Sequence, residues 1–382
     1  MSPLPLWGRG PGEGAREPLT ATADLPAALL AHLRGELGAP GLAYVEPPVA
    51  LTGGYDTRIF RFRLASAPGA WGGSLILRVL SPATDPRRAL RERATQNTIA
   101  GQGYPVPRVL TACADPGPLG AGFLVMERVP GRPLLEAGRA GVGRALAEMQ
   151  ARLHALDPEP LLRALDDEGR AAGGAFDRTA VGFEHHLATL ERHVARAGLV
   201  GLAGGMRWLL DRCPRPVAPA ICHGDFHPQN LLMADGRVTA VLDWPNVIVT
   251  DAEYDVASTR VILTAVPVSV LPVPAALRPV VGALRHVLLV RHLSVYRRLR
   301  PFDRSRMPYF EAAACMRGLV RVGAERAALG GRVPSALDAS DFGERLAARF
   351  ARVSGVTPAL PPRPRMAVLP FAATDHRPPE AP

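Results

Sequence analysis

Residues 221–233 have the sequence ICHGDFHPQNLLM, which places two histidines, an aspartate and an asparagine in an otherwise apolar stretch. Such a cluster of polar side chains can hold a metal ion, perform catalysis or cap a helix. A zinc site is disfavoured, because Cys222 and His223 are adjacent, Pro228 stiffens the loop and no fourth ligand has metal-like spacing. We therefore interpret the stretch as a catalytic loop, in which His227 packs within the loop or faces the substrate.

The spacing inside this stretch indicates the kind of chemistry. Four residues separate Asp225 from Asn230, as in the catalytic loop of kinases, where the aspartate accepts the proton of the substrate hydroxyl and the asparagine binds magnesium. A turn sequence (ADG) and an apolar strand sequence (VTAVL) follow, and then comes Asp243. Mg2+ takes oxygen ligands from few residues, and phosphate and water complete its shell. Asn230 and Asp243 are therefore candidate magnesium ligands, and Asp225 is the candidate catalytic residue.

The composition narrows the class of protein. With 382 residues, 47% of them hydrophobic, the chain can form two lobes around a sizeable core. All 45 basic residues are arginine, so arginine must fill any role usually given to lysine. The net charge of +10 is compatible with a nucleic-acid partner, but the arginines are scattered and only 5% of residues are aromatic, so we expect none. The four cysteines form no CxxC pair, which indicates reduced thiols in a cytoplasmic protein.

One apolar segment, Val261–Leu284, is long enough to be considered as a membrane span. Four prolines interrupt it and it contains Arg278, so we expect two helices joined by a proline-rich loop instead. The first 17 residues are rich in proline and glycine and contain no apolar run, which argues against a signal peptide. We therefore expect no membrane partner, and the sequence leaves the oligomeric state open.

The order of patterns along the chain predicts an α+β protein with two lobes. Short β-type segments punctuated by glycine surround one helical segment in the first part, whereas amphipathic helical patterns dominate the second. We expect a disordered leader (1–22), a β-rich N-lobe (23–130), a larger helical C-lobe (131–355) and a disordered Pro-rich tail (356–382). Within the C-lobe, a β-rich island over 219–250 carries the catalytic loop, and helical patterns cover 179–197, 201–212, 254–265, 279–299 and 308–328.

The N-lobe offers candidates for binding phosphate. In LTGGYDTRIFRF, Gly53 and Gly54 lie at a strand–turn–strand and are suited to close backbone approach over phosphates, although an ordinary hairpin turn looks the same. Arg78 lies between the apolar Leu77 and Val79 on a predicted strand, which favours an inward phosphate-binding cation over a surface arginine. Glu92, on the next helix, is positioned to hold that cation in a salt bridge, but its arginine-rich surroundings also fit a solvated helix face.

The end of the N-lobe offers a candidate for binding the nucleotide base. The sequence FLVMERVPG ends a predicted strand in the linker between the lobes. The backbone groups of Glu127 and Val129 are placed there to pair with the edge of an adenine.

With these motifs in place, the chain resembles the aminoglycoside phosphotransferase family, a bacterial kinase-like group that is similar to choline and homoserine kinases. HGDFHPQNLL…VLDW and DAEYDVAS carry the resemblance, which extends over about residues 40–330. It implies a two-lobed protein-kinase-like fold, ATP or GTP and Mg2+ as cofactors, and a small molecule whose hydroxyl is phosphorylated. By this resemblance Asp225 is catalytic, Asn230 and Asp243 bind magnesium, Arg78 and Glu92 anchor phosphate, and His223 and Asp255 support the loop.

Two departures from the family pattern leave the function partly open. Arg78 stands where such enzymes often carry lysine, and Asp56-Thr57 follows the glycines where serine–asparagine is frequent. The altered cation leaves a non-catalytic nucleotide-binding module as the alternative function. The acceptor is also open: beyond Asp166–Glu168 the C-lobe has few acidic runs, so a neutral or anionic hydroxylated metabolite fits as well as a polycationic antibiotic.

Overall fold

In the computed structural model, an antiparallel sheet with two flanking helices forms one lobe, and a set of helices around short hairpins forms the other. The structure describes residues 25–51, 57–137, 141–270, 273–328, 335 and 337–363. The predicted two-lobed α+β fold is confirmed. The predicted leader (1–22) lies outside the described residues.

The N-lobe is a five-stranded sheet with the strand order β1-β2-β3-β5-β4. Its elements are α1 (Leu25–Glu36), β1 (Ala43–Leu51), β2 (Thr57–Ala65), β3 (Ser74–Leu80), α2 (Arg88–Gly101), β4 (Val109–Cys113) and β5 (Phe123–Glu127). Every neighbouring pair is antiparallel.

The central strand β3 explains where the phosphate-binding candidate points. Alternate residues of a strand face opposite sides of the sheet. Leu75, Leu77 and Val79 belong to the core that includes the buried face of α1. Arg78 therefore faces the opposite side of the sheet, the side that α2 covers. The sequence predicts an inward-facing Arg78 because apolar residues flank it on the strand. The same alternation of side chains along β3 directs Arg78 toward α2.

The C-lobe combines helices with short β strands. Its elements are β6 (Arg132–Pro133), α3 (Leu134–Ala137), α4 (Val142–His154), α5 (Glu159–Ala171), α6 (Phe183–Arg196), α7 (Ala203–Asp211), β7 (Pro219–Cys222), β8 (Leu231–Ala234), β9 (Arg237–Val241), β10 (Ile248–Asp251), α8 (Glu253–Ala265), α9 (Arg278–Leu299), α10 (Met307–Ala327) and α11 (Phe342–Ser354). β7 pairs with β10, and β6, β8 and β9 form a second small sheet.

The five helices predicted in the second half of the chain correspond to α6, α7, α8, α9 and α10. Helices α5 and α11 were not predicted. In α11 the signal was present, because Phe342, Leu346 and Phe350 recur every four residues and are fully buried. No helix in the described part of the chain combines the length and the apolar character needed to cross a membrane.

The first residues of the predicted tail are ordered against the C-lobe. Ala359 N–H donates to Gly201 O at 3.0 Å, Leu360 packs against the large core cluster, and Arg363 lies 3.2 Å from Glu344. The prediction of a disordered tail from 356 is therefore wrong for residues 356–363, because a core-packed leucine and a backbone hydrogen bond hold this segment. Residues 364–382 lie outside the described part.

The connection between the lobes is tied to the hairpin that β8 and β9 form. Thr239 Oγ1 donates to Pro130 O at 2.7 Å, and Val241 N–H donates to Pro105 O at 2.8 Å. Gly131 has φ +145°, and a Cβ there would lie 2.9 Å from Thr239 Oγ1 and 3.0 Å from Leu232 Cβ. Only glycine fits this crossing, so the N-lobe is held directly over β8 and β9.

Candidate active site

The predicted catalytic loop begins with a turn that requires glycine. β7 ends at Cys222, and Gly224 then adopts φ +76°, with Asn246 O only 2.5 Å from where a Cβ would be. The Gly224 N–H donates to Asp255 Oδ1 at 2.7 Å. The tight turn and this hydrogen bond together fix the backbone that leads into Asp225.

Asp225 is a buried carboxylate with unused hydrogen-bonding capacity. Its exposed fraction is 8%, and its Oδ1 accepts no hydrogen bond from the residues that the structure describes. His227 Nε2 lies 3.6 Å from Oδ2, and Arg317 Nη2 lies 3.6 Å from Oδ1. Burial raises the pKa of Asp225, but the interactions with the nearby His227, Arg317 and His223 outweigh this effect and bring the pKa to about 2. The carboxylate is therefore ionised at neutral pH, and its Oδ1 can accept a further donor.

His223 connects this loop to the segment that carries Asp243. Its Nδ1 accepts from Asp225 N–H at 3.2 Å, and its Nε2 lies 2.9 Å from Leu242 O. Burial lowers the pKa of His223, so the ring is neutral and Nε2 carries the proton that Leu242 O accepts. The ring also packs at 4.6 Å on the buried Trp244. His223 thus fixes the loop against the residue next to Asp243.

Asn230 is oriented by two hydrogen bonds. Its Nδ2 donates to Asp225 O at 3.0 Å, and its own carbonyl accepts from Leu242 N–H at 2.7 Å. With the amide nitrogen engaged, Oδ1 is the remaining side-chain group, and it is an oxygen acceptor of the kind that magnesium prefers.

Asp243 follows Leu242 on the same hairpin and has a rare backbone conformation. Its φ is +67°, in the left-handed region, which aspartate tolerates better than most residues. Its side chain is 43% exposed, and its Oδ1 accepts from Arg78 Nη2 at 3.0 Å. The Leu242–Asn230 backbone hydrogen bond thus brings the backbone of Asn230 next to Asp243, and Arg78 places the Asp243 carboxylate at the boundary between the lobes.

Arg78 joins the two lobes through its guanidinium. Nη1 donates to Glu92 Oε2 at 2.8 Å, Nη2 donates to Asp243, and Nε lies 3.4 Å from Thr57 Oγ1. The second oxygen of Glu92 accepts from Arg88 Nε at 2.8 Å. Glu92 is 2% exposed, so it does not lie on a solvated helix face. The structure thus brings Arg78, Glu92 and Asp243 into one charged cluster. Thr57, which belongs to the second departure from the family pattern, also contacts Arg78 in this cluster.

The nucleotide-base candidates lie at the end of β5. Glu127 N–H donates to Arg108 O at 3.0 Å, while Arg128 N–H donates in the other direction to Ser74 O at 3.0 Å. Because backbone groups alternate along a strand, Glu127 directs its groups away from β3, and Val129 lies two residues further along the chain, beyond the end of the strand. The remaining candidates, Gly53 and Gly54, lie outside the described residues.

Asp255 supports the loop through a buried network that the sequence did not reveal. Its Oδ2 lies 3.2 Å from Gln150 Nε2 and 3.1 Å from His154 Nε2, and Tyr296 OH lies 2.6 Å from His154 Nδ1. Burial raises the pKa of Asp255, but the hydrogen bonds and charges led by His154 lower it overall. Residues of α4 contact the Asp255 carboxylate, and Tyr296 of α9 contacts His154 behind it. This network thus holds the carboxylate that accepts the hydrogen bond from Gly224 N–H.

Residues 49–302 match the sequence profile of the phosphotransferase enzyme family. An aminoglycoside 3'-phosphotransferase of Streptomyces fradiae is 37% identical over 164 residues, which cover 41% of this chain and 57% of that protein. Acyl-CoA dehydrogenase family member 11 of Gallus gallus is 32% identical over 164 residues, which cover 40% of this chain and 20% of that protein. The match therefore spans about a fifth of the length of this relative.

Solved structures share the fold over most of the chain. A Ralstonia eutropha protein assigned to the aminoglycoside phosphotransferases superposes with a TM-score of 0.59 at 20% identity and covers 87% of this chain and 99% of its own. The aminoglycoside-3'-phosphotransferase of type VIII gives a TM-score of 0.50 at 23% identity, with 75% and 97% covered. The resemblance seen in the motifs is confirmed, since the family profile covers more than half of the sequence. The chain belongs to the phosphotransferase enzyme family.

Proposed function

We propose that this protein is an ATP- and Mg2+-dependent phosphotransferase that transfers the γ-phosphoryl group to a hydroxyl of a small molecule. The observation that carries the proposal is Asp225, a buried and ionised carboxylate whose Oδ1 has no donor among the described residues. A buried acceptor atom without a partner is costly, and an incoming hydroxyl supplies the missing hydrogen bond.

Asp225 is proposed to orient the acceptor hydroxyl and to receive its proton. As the hydroxyl oxygen forms its bond to the γ-phosphorus, the bond from phosphorus to the ADP oxygen breaks and the proton passes to the carboxylate. His223 and Asn230 hold the loop through the backbone N–H and carbonyl of Asp225, so the carboxylate is fixed before the substrate arrives.

Arg78 is proposed to anchor the nucleotide phosphates. A guanidinium has five N–H donors, so Arg78 can keep its bond to Glu92 while it turns a second N–H toward a phosphate oxygen. It is always charged, as the lysine common in the family also is at neutral pH. The donor geometry and permanent charge of arginine therefore support the proposal that Arg78 binds phosphate in place of lysine.

The donor set at Asn230 and Asp243 suits magnesium. An amide oxygen and an exposed carboxylate oxygen are hard ligands, and few protein ligands are needed when phosphate supplies the rest. Magnesium bound there would offset the charge of the phosphates. Without magnesium, Arg78 provides the positive charge that pairs with the Asp243 carboxylate, as it does in this structure.

The nucleotide base is proposed to pair with the Glu127 carbonyl and the Val129 N–H. This pattern of one acceptor and one donor fits adenine, and GTP remains a second substrate to be tested. A thermostable mutant of aminoglycoside phosphotransferase APH(4)-Ia has been solved in a ternary complex with AMP-PNP and hygromycin B, and its TM-score to this chain is 0.50 at 18% identity. That complex supports the use of a nucleotide on this fold.

The alternative is a module that binds a nucleotide without catalysis. Product formation with a panel of acceptors, using ATP and GTP with and without Mg2+, separates the two. The panel holds aminoglycosides, hydroxylated metabolites and a hydroxyacyl thioester of coenzyme A, the last because several relatives are named acyl-CoA dehydrogenases. We expect a phosphorylated product with at least one acceptor. Tight MgATP binding without any product or ATP turnover would favour the alternative.

A further inference from the structure

The helix α10 contributes one charged residue to the catalytic cleft. From residue 311 to residue 320 every residue of this helix is buried except Arg317, whose side chain is 19% exposed. A helix that is buried all round exposes a charged side chain only where a cleft reaches it. That position is beside the catalytic carboxylate, since Arg317 Nη2 lies 3.6 Å from Asp225 Oδ1.

Both members of this pair retain unused hydrogen-bonding capacity. The distance of 3.6 Å is too long for a hydrogen bond, so the contact is purely ionic. In the described part of the chain, Asp225 Oδ1 accepts no hydrogen bond, and Arg317 has no ionic partner except Asp225. The unmet acceptor and the guanidinium donors therefore lie side by side, so a molecule whose hydroxyl reaches Asp225 would also meet Arg317.

Apart from Asp225, the titratable groups that Arg317 influences are neutral at pH 7. His186 and Tyr254 are further titratable groups that Arg317 influences. Burial, aided by Arg317, lowers the pKa of His186 to about 3, and burial raises the pKa of Tyr254 to about 12, so both are neutral at pH 7. On α10 the carboxylate of Glu311 is already engaged by Arg260 and Arg349. Arg317 is thus the charge that faces the part of the acceptor next to its hydroxyl.

Given the phosphotransferase activity proposed above, we infer that Arg317 selects an acceptor that carries a carboxylate or phosphate close to the hydroxyl that is phosphorylated. The hydroxyl donates to Asp225, and the anionic group receives the guanidinium fork, which matches a carboxylate or phosphate with two parallel hydrogen bonds. A polycationic aminoglycoside would instead place positive charge against Arg317. The acceptor class that results is a hydroxy acid or a phosphorylated alcohol.

The inference is tested with three acceptor probes that share a hydroxylated three-carbon skeleton. Glycerol is the neutral probe, and glycerate and glycerol 3-phosphate are the two anionic probes. Kanamycin is the cationic probe. Binding to the protein loaded with Mg2+ and AMP-PNP is measured by calorimetry, and phosphorylation with MgATP by 31P NMR. We expect at least one of the two anions to bind roughly tenfold or more tightly than glycerol or kanamycin, and the two anions distinguish a carboxylate site from a phosphate site. Arg317→Gln should remove that preference by a factor of about ten to a hundred, the usual effect of one charge-assisted contact.

Two variants control this experiment. Arg317→Lys keeps the charge and should recover part of the preference. Arg321→Gln removes the same charge one turn further along α10, where the ionic partner is Asp338 at 3.7 Å, and should leave the preference unchanged. Equal binding of anions and glycerol, no binding of either anion, or an Arg317→Gln defect confined to MgATP would each overturn the inference. Failure of the parent protein to bind MgATP would instead overturn the proposed function.

Discussion

Arg78 Nη2 lies 3.0 Å from Asp243 Oδ1, so one ion pair joins the central strand of the N-lobe to the segment that follows β9 in the C-lobe. The two residues are 165 positions apart in the chain. The same guanidinium binds the buried Glu92, and it therefore links α2, the sheet and the proposed magnesium site. The proposed phosphate anchor is therefore also a side chain that joins the two lobes.

Replacing Arg78 should weaken nucleotide binding and turnover together. Arg78→Ala removes a forked cation from a site that is mostly closed to solvent, where a charge-assisted hydrogen bond contributes about 1.5–3 kcal/mol. We expect roughly a tenfold to hundredfold loss of MgATP affinity by calorimetry, with partial recovery in Arg78→Lys. Arg63→Ala, on the exposed face of β2, is the control. Parent-like binding and turnover in Arg78→Ala would show that the glycine turn and the metal anchor the phosphates alone.

Replacing Asp243 should remove the magnesium dependence of nucleotide binding. Asp243→Ala deletes one of the two proposed oxygen ligands, while Arg78 keeps its partner Glu92. We expect ATP binding, measured by calorimetry with and without Mg2+, to become weak and independent of the metal. If added Mg2+ still strengthens ATP binding in this variant to the parental extent, Asp243 does not bind the metal.

The network around Asp255 should be important for stability as well as for rate. Asp255→Ala leaves Gly224 N–H, Gln150 and His154 without this acceptor. Breaking a buried charged network typically costs about 3–5 kcal/mol, which urea unfolding can measure. The matched control is Asp167→Ala, which breaks an exposed ion pair with Arg170 and should cost less than about 1 kcal/mol. Similar losses in the two variants would remove the special role given to Asp255.

His292 should make stability fall at mildly acidic pH. Burial lowers its pKa from 6.5 to about 4, so below pH 6.5 the unfolded chain binds a proton that the folded chain does not. The stability that this neutral histidine provides is complete above pH 6.5 and is lost as the pH falls toward 4. Each pKa unit corresponds to about 1.4 kcal/mol. Urea unfolding should show that the free energy of unfolding falls between pH 7 and pH 5, and that it falls less in His292→Asn than in the parent protein. An identical fall in both proteins would contradict this assignment.

The parts of the site that the sequence revealed are those set by local spacing. Asp225 and Asn230 lie in one loop, Asp243 follows on the same hairpin, and the alternation of β3 directs Arg78 toward Glu92. For each of these, neighbours within a few residues determine where the side chain points. The structure brings these residues together, while their roles in binding and catalysis stay predictions.

The parts that the sequence did not reveal depend on contacts between distant elements. Gln150 and His154 reach Asp255 from α4, and Tyr296 on α9 contacts His154. Each looks like an ordinary residue on an amphipathic helix. Arg317 is one of 45 arginines, and only the packing of α10 distinguishes it from a surface residue. The ordering of residues 356–363 likewise depends on where Leu360 meets the core, which proline content does not show.

Asp225→Asn tests the central claim most directly, because it replaces the ionised carboxylate by an amide of the same size. The variant should bind MgATP with nearly parental affinity, since Asp225 is proposed to face the acceptor and not the nucleotide. Phosphoryl transfer, measured as ADP release in the presence of an accepted hydroxyl substrate, should fall by about 10²–10⁴-fold. Full phosphoryl transfer by Asp225→Asn would contradict the account, because no other described carboxylate holds that position in the loop.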